Sequence, residues 1–153
     1  MAFTFDYSTK ARLLISEKER VLLKQTYDEA VILEASFVID VTVLSPEEMR
    51  ELNRDTRSID KATDVLSYPV FTSIYQIPLQ HIPEVALGSI VICPDYANEQ
   101  GTPLIELIHH GVLHLFGYDH EERQEEWDAN EKGILEKAHQ LGLPLKGLAN
   151  LYL

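Results

Sequence analysis

Residues 109–120 read HHGVLHLFGYDH and hold four of the six histidines of a 153-residue chain. On a helix, His110 and His114 are four positions apart, about 400° of turn, so both rings project from nearly one line and can grip one small ion. Gly117 comes three residues later, where a residue free to take positive φ can end the helix and let His120 approach the pair. Three imidazoles with a fourth position open are the ligands of a catalytic zinc site, since a structural site closes its shell with protein. The pattern predicts one bound Zn2+, with a water ionising at a pH of about 7. His109 points about 100° away from His110 and is expected to be a helix-face residue, not a ligand. The single Cys93 excludes a cysteine-rich site, so a metal must rest on imidazole or carboxylate.

The spacing HxxxHxxGxxH is that of the metzincin proteases, whose motif is HExxHxxGxxH. Gly111 stands where their general-base glutamate would be, and the HGVLH turn holds no other acid. Peptidase chemistry is therefore disfavoured, although a hydrolase without that base can still act on an electrophile held against a cation.

These side chains need a scaffold. FTFDY reads as a first strand. SEKERVLLKQTYDEAVILEA reads as an amphipathic helix with Ser16 and Glu19 as a capping box and Val21, Leu22, Tyr27, Ala30, Val31 and Leu33 on its apolar face. FVIDVTVL is a buried strand, and SPEEMRELNR a helix opened by Ser45, Pro46 and Glu48. DVLSYPVF is a strand that Pro69 assigns to an edge or an end. Residues 72–86, with Pro78 and Pro83, are expected to be an irregular loop or short hairpin, and LGSIVIC a fourth strand. A helix then runs from Thr102 and Pro103 through LIELIHHGVLHLF to Gly117. A last one spans about Glu121 to Gln140, with Trp127, Ile134, Ala138 and Leu141 inward. The order β, α, β, α, β, β, α, α predicts one α+β domain over residues 1–153, a small mixed sheet of about four strands packed with helices. The histidine-bearing helix would be placed as in zincin-like metallohydrolases. The apolar tail LPLKGLANLYL is expected to dock on the domain or meet a partner.

Charge narrows the partners. The net charge is −12, and residues 119–136 alone carry eight acids against two bases. That run reads as a solvated helix face. Such a surface argues against nonspecific binding to DNA or RNA, and only the first half of the chain could supply a local basic face. No apolar run approaches the roughly 18 to 20 residues of a membrane span, and the N-terminus lacks the features of a signal peptide. A cytoplasmic location is expected, without a membrane partner.

HGVLHLFGYDH resembles the signature of the bacterial YbeY family, metal-dependent endoribonucleases associated with maturation of small-subunit ribosomal RNA and with ribosome quality control. Upstream, ELNRDTRSIDKATDVLSYP resembles the family's second block, with Asn53, Arg57 and Thr63 to Ser67, and LGSIVIC resembles the strand before the histidine helix. The resemblance implies that His110, His114 and His120 bind zinc, with His114 and Arg57 in the catalytic apparatus and Arg57 facing the metal and assisting with phosphate. A guanidinium suits that contact. It implies a single-strand-specific RNase whose substrate is ribosomal RNA precursor, with ribosomal proteins or an assembly GTPase as further partners. Ser89 departs from the family's usual Asp. Attack by metal-activated water and attack by the RNA 2′-OH both stay open. So do three alternatives: a metzincin-like peptidase or other metallohydrolase, a non-catalytic RNA-binding assembly factor with a structural metal, and an apo scaffold. Arg54 and Lys61 are read as solvated charges. Asp119 is equally a ligand-orienting acceptor or the N-cap of the last helix.

Overall fold

Four strands, the first three of them separated by helices, form a central sheet. In the computed structural model, which describes residues 3–31, 35–71, 84–117 and 124–147, the order is β1 (Phe3–Tyr7), α1 (Thr9–Leu14), α2 (Glu17–Ala30), β2 (Ser36–Val43), α3 (Pro46–Arg57), β3 (Val65–Pro69), β4 (Glu84–Ile92), α4 (Pro94–Gln100), α5 (Leu104–Leu115) and α6 (Gln124–Leu141). The sheet order is β1-β2-β4-β3: β1, β2 and β4 are parallel, and β3 runs antiparallel at the edge. It is a single small α+β domain with a mixed sheet, and Pro69 does end an edge strand.

The N-terminal caps are the expected ones. Ser16 accepts from the Glu19 N–H, and Ser45 and Glu48 make a reciprocal capping box ahead of Pro46. Two short helices escape sequence periodicity because neither is long enough to display it. Helix α1 is six residues behind Ser8, whose Oγ accepts from the Ala11 N–H, and α4 is seven residues opened by Pro94. Tyr27 of the expected apolar face of α2 is buried and Leu22, Ala30 and Val31 pack against the core, but Val21 turns outward. Val21 is 55% exposed, while Leu23, Thr26 and Tyr27 are buried. The Thr26 hydroxyl is accommodated because it donates to the Leu22 carbonyl at 2.6 Å. Strand β4 begins at Glu84, so residues 84–86 are strand and not loop. A register shift against β2 leaves Leu87 without a partner in that ladder. This bulge lets Val85 and Leu87, then Ile90 and Ile92, enter the same core.

The two faces of the sheet are covered unequally. Phe3, Phe37, Ile39, Val41 and Ile90 point into the main core beneath α2, α5 and α6. The other face has a small second core in which Met49 packs with Leu66, Val91 and Cys93. Burial pushes the Cys93 thiol up, helped by the Asp95 and Asp64 carboxylates and opposed by hydrogen bonds from the backbone of Tyr96 and Asp95. Ile134 and Ala138 of α6 are buried as expected, and so are Leu143 and Leu145, so the start of the apolar tail docks on the domain. Leu33, residues 72–83, Asp119, Glu121, the Trp127 side chain and residues 148–153 lie outside the described residues. Among the described residues no helix is long and apolar enough to cross a membrane.

Candidate metal centre

Helix α5 starts after Pro103 and lies across β3 and β4. It carries buried residues on nearly every side: Ile105 to Leu113 are all buried. Its closest approach to the sheet is at Gly111, where a Cβ would meet three side-chain carbons of Ile90 at 2.9 Å. No side chain fits there without displacement, least of all a carboxylate. The missing metzincin glutamate is thus a packing requirement, and the peptidase reading loses its general base for a steric reason.

Gly111 also fixes what the other positions face. Turning from Gly111 about the helix axis, His114 and His110 lie roughly 60° and 100° to one side, while Val112 and His109 lie about 100° and 160° to the other. His109 reaches Tyr27 of α2 and Glu131 of α6. Since α2 packs on β1, the opposite flank, with His110 and His114, looks toward the β3 edge. There the Nε2 atoms of His110 and His114 face each other 2.9 Å apart, with ring centroids 4.5 Å apart and planes at 63°. Two nitrogens on one tetrahedral zinc, each about 2.0–2.1 Å from it, would be separated by about 3.3 Å. The pair needs to open by only a few tenths of an ångström, so this donor set fits a zinc-like ion. Gly117 takes φ +78° and ends the helix turn as expected. His120 lies outside the described residues, and among those described no three metal-ligating side chains converge.

Arg57 closes α3, whose end is marked by Ser58 in the left-handed region at φ +60°. Its Nη2 donates to the Ser67 carbonyl at 2.6 Å, and its guanidinium carbon sits 5.2 Å from the Tyr68 ring centroid. Tyr68 is held in turn by Thr56, oxygen to oxygen at 2.7 Å. The position of Ser67 follows from strand parity. The Cys93 N–H donates to the Asp64 carbonyl and the Val70 N–H to the Leu87 carbonyl, so the even residues of this strand turn their peptide groups toward β4. Ser67 turns its peptide groups outward. Among the described residues β3 has no strand on this side, so Arg57 lies at the β3 edge, the side toward which His110 and His114 look. Its neighbours differ: Arg54 pairs with Asp55 at 3.2 Å and Arg50 with Asp60 at 2.8 Å. Asn53, 4% exposed, donates to the Lys61 carbonyl at 2.9 Å and pins the loop before β3. Ser89 is half-buried in β4, across from Asp40 and Tyr68.

The residue that sequence reasoning undervalued is His109. It is fully buried, with Nδ1 2.7 Å from the Tyr27 hydroxyl and Nε2 3.1 Å from Glu131 Oε2. Its partners are 82 and 22 positions away, and no local spacing announces them. Nearby, Glu106 is 2% exposed and accepts from the backbone N–H groups of Lys146 and Gly147. His139 holds the Leu145 carbonyl at 2.7 Å.

The model of the family described as endoribonuclease YbeY matches residues 6–139. An endoribonuclease YbeY of Helicobacter pylori strain J99 is 40% identical over 84% of this chain and 88% of its own length. Those of Campylobacter fetus and Thermotoga neapolitana are 39% and 36% identical, over 69% and 76% of this chain and 76% and 74% of theirs. The solution structure of TM1509 from Thermotoga maritima superposes with a TM-score of 0.50 over 91% of this chain and 89% of that one, at 23% identity, and shares its fold.

Proposed function

The chain belongs to the YbeY family, and from that premise we propose that it is a zinc-dependent, single-strand-specific endoribonuclease acting in small-subunit ribosomal RNA maturation and ribosome quality control. The observation that carries the reading is the convergence of the His110 and His114 Nε2 atoms, 2.9 Å apart, on the flank of α5 that faces the β3 edge. In this reading His110 and His114 are two ligands of one ion and His120, arriving after the Gly117 turn, is the third. The bound ion supplies a Lewis acid and an acidified water at neutral pH. Residues 1–153 act as one catalytic domain.

The protein's own groups do the rest. Arg57 offers a bidentate donor to the non-bridging phosphate oxygens, exchanging its bond to the neutral Ser67 carbonyl for bonds to an anion. Stacking on Tyr68 limits the directions in which that guanidinium can swing. Negative charge growing on the phosphate during strand cleavage is thus met by a cation already in place, the type of contact that strengthens in the transition state. The acidic surface makes unaided capture of free RNA weak, so delivery in the cytoplasm by ribosomal proteins or an assembly GTPase belongs to the same proposal.

The test pairs metal content with cleavage. Purified protein should hold about one zinc per chain, His110→Ala should hold none, and Arg57→Ala should keep the metal but lose cleavage of single-stranded ribosomal RNA precursor. Casein should remain intact. A wild-type protein that cuts RNA equally well after exhaustive chelation would rule the proposal out.

A further inference from the structure

We infer that Tyr27, His109 and Glu131 form a rotational stop for α5: they are positioning residues that set the aim of His110 and His114 and thereby the affinity for the metal. The inference rests on the reading of those two histidines as ligands. Neutral imidazole donates at one nitrogen and accepts at the other, and a carboxylate only accepts. With the imidazole neutral the chain of bonds has one direction: the Tyr27 hydroxyl donates to His109 Nδ1, and Nε2–H donates to Glu131. Each bond comes from a different helix, and α2 and α6 pack directly on each other, so the anchor is a joined pair. His109 is fully buried, which keeps water from replacing either partner.

The leverage is geometric. His109 and His110 are consecutive residues, 100° apart on the helix, so fixing one ring fixes the azimuth of the other. A 10° turn of α5 would carry an imidazole nitrogen, roughly 6 Å from the axis, through about 1 Å. Functional constellations tolerate about 0.5 Å. Gly111 cannot supply the stop, because contact with Ile90 limits approach to the sheet and leaves the helix able to roll on it. Tyr27 and Glu131 grip the flank opposite the ligands, where a roll is resisted without crowding the metal side.

Cobalt titration of the metal-free full-length chain tests this, read by the visible ligand-field spectrum, with urea unfolding of each variant alongside. Tyr27→Phe removes one oxygen and should weaken Co2+ binding roughly tenfold, the low end of what loss of a supporting hydrogen bond costs a metal site. His109→Leu should weaken it further and shift the band positions. Glu131→Gln keeps an acceptor for Nε2–H and should stay near wild type, whereas Glu131→Leu should resemble Tyr27→Phe. Leu23→Ala, a cavity in the same layer, should lower stability and leave the affinity unchanged. Should His109→Leu fail to fold, Tyr27→Phe and the Glu131 pair still decide. Wild-type affinity and spectrum in Tyr27→Phe and Glu131→Leu would overturn the inference alone, as would an affinity that follows stability across all variants, Leu23→Ala included. Failure of the wild-type chain to bind Co2+ would overturn the ligand reading and this inference with it.

Discussion

The two flanks of α5 carry the same residue type under opposite conditions. On one, His109 is enclosed by Tyr27 and Glu131, each ring nitrogen meeting a different helix. On the other, His110 and His114 turn toward each other, nitrogen to nitrogen, on the side of the β3 edge. A histidine with a proton donor on one side and a carboxylate on the other has its chemistry consumed by the fold. Two imidazoles sharing one point in space present lone pairs that only a proton or a cation can reconcile. The lesson is that adjacency in sequence says nothing about role, and the partners of each nitrogen say nearly everything.

The largest expected break falls on the ligand flank. With His114 the ligand proposed above, His114→Ala should lower RNA cleavage and zinc retention by at least about a hundredfold while the circular dichroism spectrum stays that of the folded chain. Retained turnover would dissolve the contrast between the flanks. Next comes the hinge between them. Gly111→Ala places a methyl against Ile90 and should cost about 1–3 kcal/mol of stability in urea titration, with Ile90→Ala in the same chain recovering part of it. The structural flank follows: Tyr27→Phe should cost about 1 kcal/mol or somewhat more, because it leaves a buried imidazole nitrogen without its donor. Ser45→Ala, far from either flank, should cost about 1 kcal/mol through loss of the α3 cap and leave metal content untouched.

The smallest effect is electrostatic. Burial pushes the Asp28 carboxyl up, but hydrogen bonds from Lys24 and from the Phe3 N–H outweigh it, so its pKa is lowered on balance. A group depressed in the folded state stabilises at pH above its unfolded value of about 3.9, and that contribution fades as pH falls through the folded value. The stability difference between wild type and Asp28→Asn should therefore be constant near neutrality and shrink in acid. An acid-independent difference would show that Asp28 acts by shape alone.

Much of this architecture could be read from the chain before any coordinates. Ser45, Pro46 and Glu48 announce α3 because capping chemistry is local, and Gly117 announces the end of the histidine helix for the same reason. The His110 and His114 spacing survives as a contact because four residues on a helix is itself a geometry. What failed was everything set by distant partners. Val21 and Leu23 are equally apolar, and only the packing of α2 on its neighbours decides which one turns inward. Gly111 reads in sequence as an absent glutamate, yet its reason is Ile90 in another element. His109 reads as a bystander because both of its bonds span long stretches of chain.

Arg57 occupies the outward carbonyl of Ser67 on the strand that is outermost among the described residues, and an outermost strand is a ready template for another chain. A bulky cation laid along that border discourages a second molecule from adding its own strand there. On the proposed role of Arg57, removing the guanidinium would do two separable things, silence the reaction and leave the molecule stickier, so a loss of turnover in Arg57→Ala is interpretable only beside its sedimentation profile.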